Sequence, residues 1–107
     1  MIKNVLSNMW LSRKHKKRDE LVALLEKVKE LVDNSEESIW AGLSPAEIGM
    51  DLTIAIEALR NTEAVDRAQL QMHFAPSGPL QETAMMSGWT DEYMELSNRF
   101  DLLIELI

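Results

Sequence analysis

A chain of 107 residues with 46% hydrophobic side chains can bury one modest core and points to a single domain. The absence of cysteine excludes a disulfide framework, a thiol nucleophile and any cysteine-ligated metal site. The net charge of −7 is unevenly spread. Residues 1–18 hold six of the eleven cations and no acid, leaving five cations against eighteen acids in residues 19–107. The acidic part repels nucleic acid, so only residues 1–18 could meet it.

No apolar run approaches the ~20 residues of a spanning helix, so no transmembrane segment is expected. The N-terminal apolar patch precedes its basic residues, the reverse of a secretory signal, which gives a cytoplasmic expectation. Plentiful Leu, Ala, Glu and Met, with Gly and Pro confined to apparent boundaries, predict an all-α protein. The expected architecture is a compact bundle of four to five helices over about 18–33, 44–60, 66–75, 79–87 and 90–107, with a basic N-terminal extension over 1–17.

In that extension Val5, Leu6, Met9, Trp10 and Leu11 would gather on one side of a helix. The cations Arg13, Lys14, Lys16, Lys17 and Arg18 follow, with His15 among them. One reading is a solvated extension or the first turns of a longer helix. The other is an arm whose cations meet the phosphates of nucleic acid or of an anionic membrane surface.

Leu21, Leu24, Leu25, Val28, Leu31 and Val32 recur at i, i+3, i+4 and i+7, the stripe of an amphipathic helix. Asp33-Asn34-Ser35 ends it. Ile39 and Trp40 follow in a loop, and Trp40 is expected to fold onto the core.

Ser44-Pro45-Ala46-Glu47 is a helix start with each residue in role: Ser44 as N-cap, Pro45 at N1, Glu47 as the capping-box partner. Leu43 and Ile48 form the hydrophobic staple, and Ile48, Leu52, Ala55, Ile56 and Leu59 the buried stripe. Asp66 and Gln69 repeat the capping logic, with Val65 and Leu70 as the staple. Leu70, His73 and Phe74 share a side, and Pro76 stops the helix.

Residues 74–100 concentrate turn residues and aromatics. Ser77-Gly78-Pro79 opens a short helix whose inner face takes Leu80, Ala84 and one or both of Met85 and Met86. Gly88 is its left-handed terminator, and Trp89 the apolar residue beyond it. Thr90 is expected to cap the last helix, with Trp89 stapled against Met94. Tyr93, Leu96, Phe100, Leu103, Ile104 and Ile107 are its stripe.

Catalytic signals are sparse. His73, with Glu82 after the turn, could form an acid–base pair, but no nucleophile or second base accompanies it. Of the acidic pairs, Glu47 is accounted for as a cap and Asp91 and Glu92 as helix-dipole partners, and no metal-ligand spacing or phosphate loop is present. The sequence therefore reads as a non-enzyme without metal or cofactor. Met85, Met86, Trp89 and Tyr93 are the candidate partner-binding surface, because methionine repacks around different partners; the competing reading puts them in the core. The functional expectation is protein–protein interaction, as a regulator, adaptor or toxin-neutralising or immunity protein, with a basic partner suited to the acidic body. The stripes can close a monomeric core or a homodimer. The alternatives are nucleic-acid or anionic-membrane binding through the basic arm, and a small enzyme using His73.

Overall fold

The computed structural model describes the backbone of residues 2–37 and 42–107, with side chains from Arg13 onward outside that gap. Its described residues form five helices and no strand: α1 (Ile2–Asp33), α2 (Pro45–Arg60), α3 (Arg67–His73), α4 (Pro79–Ser87) and α5 (Thr90–Ile104). The all-α bundle read from the sequence is the fold. Trp40 and Ile39, and the side chains of Val5, Leu6, Met9, Trp10 and Leu11, lie outside the described residues.

The first helix starts at Ile2, so the basic segment forms the first turns of a longer helix, one of the two readings open from the sequence. Residues 2–33 contain neither Gly nor Pro, and Lys and Arg are good helix formers, so the basic run continues the helix rather than preceding it. The α1 stripe from Leu21 to Val32 is buried as its spacing requires, with Leu31 partly covered. It packs most extensively on α2 and next on α5. The α1–α2 pair runs antiparallel. Near one end Glu26 pairs with Arg60, and Arg18 donates to the Glu63 carbonyl at 2.8 Å. The α1–α5 pair is also antiparallel, with Arg99 on Glu20 at 2.7 Å.

Local chemistry fixes the helix ends. The Ser44 hydroxyl accepts from the Glu47 amide at 3.2 Å and donates to the Glu47 carboxylate at 3.1 Å, while Pro45 occupies N1. Asp66 accepts from the Gln69 amide at 3.0 Å. The third helix stops at His73, two residues short of expectation, because Phe74 already serves as its C-cap. Gly78 must be glycine: a Cβ there would lie 2.8 Å from the carbonyl oxygens of Met72 and Ala75. Gly88 has φ +81°, and the Trp89 amide donates to the Ala84 carbonyl at 3.0 Å, closing the left-handed terminator as expected.

Two expectations in the last corner are corrected. Thr90 is the first residue of α5, and Trp89 is its N-cap, with no side-chain capping bond. Trp89 does not staple onto Met94, which is exposed; it packs edge-on against Tyr93 at 6.2 Å and donates from Nε1 to Ser35 Oγ at 2.8 Å. That bond draws the corner onto the end of α1.

The core is one cluster drawn from all five helices. At its centre Phe74 and Phe100 stack with centroids 3.9 Å apart, and Tyr93 lies 6.4 Å from Phe74. The Tyr93 hydroxyl donates to the Phe74 carbonyl at 3.2 Å. Burial pushes the Tyr93 phenol above its ordinary value of 10.0; a hydrogen bond with Ser97 opposes this, and the Asp101 carboxylate adds to it. The folded state therefore favours the neutral phenol. Its contribution to stability is complete below pH 10 and is lost as pH rises through the folded-state value. The stability advantage of the native chain over Tyr93→Phe is expected to shrink as pH climbs past 10 in chemical denaturation. An advantage that stays constant across that range would show that the phenol titrates as it does in the unfolded chain.

Candidate functional site

The four residues singled out as a partner surface divide by position. Leu80, Thr83 and Ala84 form the buried face of α4. Thr83 can be buried because its hydroxyl donates to the Pro79 carbonyl at 2.8 Å. With positions 80, 83 and 84 turned inward, the 100° step per residue carries 85 and 86 outward. Met85 and Met86 are 64% and 54% exposed, while Trp89 and Tyr93 are 6% and 2% exposed. The methionines are thus the accessible part, and the aromatics belong to the core. The expectation that one or both methionines face inward is corrected.

This corner is electronegative. Glu82 lies one turn before Met86 on α4, and Asp91 and Glu92 occupy the first turn of α5. The Glu36 amide donates to Ser87 Oγ at 3.2 Å, which brings the acidic end of α1 to the same place. A hollow of about 280 Å³, lined by Gly88, Trp89, Thr90, Asp91 and Glu92, opens two residues beyond Met86. Exposed thioethers beside a hollow holding two carboxylates can take an apolar side chain and a cation together.

The basic run is divided by the helix that carries it. Arg13, Lys14 and Lys17 line a groove of about 420 Å³ together with Glu105, Leu106 and Ile107. Lys17 also lies 3.6 Å from Glu20. His15 and Arg18 turn toward Leu59, Arg60 and Thr62 at the end of α2, where Arg18 is committed to backbone carbonyls. Lys16 is exposed. Five neighbouring cations in sequence are therefore not one patch in space.

His73 is fully buried, and its Nε2 lies 2.9 Å from Asp51 Oδ2. Its partner is Asp51 on α2, not the Glu82 suggested by proximity in sequence. Nδ1 is buried without a hydrogen-bond partner. Asp51 sits 22 residues away, and only the α2–α3 packing reveals it. The pair ties two helices together, and its histidine presents no surface to a substrate. A further cleft of about 490 Å³ runs between the α3–α4 turn and α5, lined by Gln71, Gln81, Ser97, Asn98 and Asp101 over the core aromatics. Among the described residues, no group of three or more His, Asp or Glu is placed to hold a metal ion, and no helix is long and apolar enough to cross a membrane.

No protein-family model, curated protein or solved structure matches this chain.

Proposed function

We propose that this protein acts without catalysis, by binding another protein at the corner formed by the end of α4 and the start of α5. The observation that carries the reading is the pair of exposed methionines, Met85 and Met86, at the end of the helix that leads directly into the Asp91–Glu92 hollow. The partner it suits is a basic, amphipathic segment: its apolar side chains cover the thioethers, and a Lys or Arg enters the hollow. A regulator, adaptor or toxin-neutralising or immunity protein would use such a surface.

Labelling the methionine methyls with ¹³C and titrating with a synthetic Leu/Lys helical peptide tests this. The Met85 and Met86 resonances are expected to move, and a Leu/Glu peptide should leave them in place. Replacing both by Ser should weaken binding by on the order of tenfold or more, with the fold intact because both are exposed. Equal responses at Met50 and Met94, or none anywhere, would remove the corner from consideration.

A second reading rests on a different observation, the gathering of Arg13, Lys14 and Lys17 into one groove. In it the basic segment of α1 binds an anionic surface or polymer.

A further inference from the structure

We infer that the face where the basic turns of α1 meet the C-terminal turn of α5 docks onto an anionic lipid surface. The inference rests on the second reading above and names its ligand.

The antiparallel pairing of α1 and α5 sets Arg13, Lys14 and Lys17 around Leu106 and Ile107. Leu106 in the groove is 53% exposed, and Leu102 in the last turn of α5 is 63% exposed. A nucleic-acid backbone would use the cations but give two aliphatic side chains nothing to enter. A bilayer interface uses both, taking cations at the headgroup phosphates and leucines at the acyl boundary. Each cation near an anionic surface raises partitioning by roughly fivefold. Glu105 in the groove opposes this, so the net attraction is modest and falls with salt.

Charge asymmetry selects the orientation. Residues 1–18 carry six cations and no acid, whereas the remaining chain carries eighteen acids against five cations. Spread over a molecule 58 Å long, that separation turns the basic end toward a negative surface and holds the acidic body away from it. The Met85–Met86 corner lies by the C-terminal end of α1, through the Glu36–Ser87 bond, so a docked molecule would present it to the solvent.

Co-sedimentation of the full chain with phosphatidylcholine vesicles, with and without phosphatidylglycerol, is the test, alongside a short RNA duplex. Binding is expected only to vesicles containing phosphatidylglycerol, and it should weaken as salt rises. Leu102→Gln combined with Leu106→Gln should reduce it tenfold or more without altering the fold, since both residues are exposed. Arg13→Gln with Lys17→Gln should reduce it by roughly 25-fold. Vesicle binding untouched by the leucine changes would leave an anion-binding groove and overturn the lipid assignment. Binding to RNA and not to vesicles would overturn it in favour of nucleic acid. Binding to neither would overturn both the second reading and this inference.

Discussion

Phe100→Ala is expected to lower the unfolding free energy by about 3–5 kcal/mol, the largest single loss foreseen in this protein. Phe100 is fully buried and stacks on Phe74 at 3.9 Å with the rings nearly parallel, 7° apart. Removing the ring forfeits its transfer from water, leaves a cavity beside Phe74, and ends the aromatic pairing. Phe74 would lose one neighbour of a stack that continues to Tyr93 at 6.4 Å. Against a typical total of about 5–15 kcal/mol, the loss is a large fraction of the whole. Urea midpoints measure it, with Leu102→Ala as the control. Leu102 stands two residues further on but is exposed, and its change should stay within about 0.5 kcal/mol. Similar losses in the two variants would mean that α5 does not bury the face described.

Gly88→Val is expected to cost roughly 2 kcal/mol, for a different reason. A Cβ at Gly88 would meet nothing within 4 Å, so crowding contributes no penalty. The whole cost is conformational: φ is +81°, where an L-residue is strained and a β-branched one more so. The strain falls on the turn that closes α4 through the Trp89–Ala84 hydrogen bond and seats Trp89 on Ser35. The signature is an order of melting temperatures, Gly88→Asn above Gly88→Ala above Gly88→Val, following tolerance of the left-handed region. An order set by side-chain hydrophobicity, or an unchanged melting temperature in the valine variant, would contradict this account of the corner.

The sequence carried most of the helical architecture because its signals are periodic and local. The stripes of α1, α2 and α5 and the caps at Ser44, Asp66 and Gly88 each depend on neighbours within one or two turns. What it did not carry depends on other helices. In α4, two adjacent methionines compete with Leu80, Thr83 and Ala84 for one inner face, and a polar threonine won the place because its hydroxyl bonds within its own helix. Trp89 displaced Thr90 from the cap because its indole reaches Ser35, 54 residues away. The sequence leaves open whether the basic segment joins α1, because a change of charge does not by itself break a helix as a missing donor does. The candidate sites follow the same rule. The acids and methionines near residue 86 could be read from the sequence, but which of them are accessible could not. The meeting of Arg13 with Leu106 is purely tertiary.

The pairing of α1 with α5 also imposes a schedule on folding during synthesis. Glu20 and its partner Arg99 are 79 residues apart. At about 5–20 residues per second, a ribosome needs roughly 4–16 s to make the intervening chain. For the first half of that interval α2 is itself incomplete, and for the second half the stripe of Leu21, Leu25, Val28 and Val32 has α2 to cover it but not α5. A nascent chain carrying an uncovered apolar face for seconds is a natural client for a chaperone that recognises such faces.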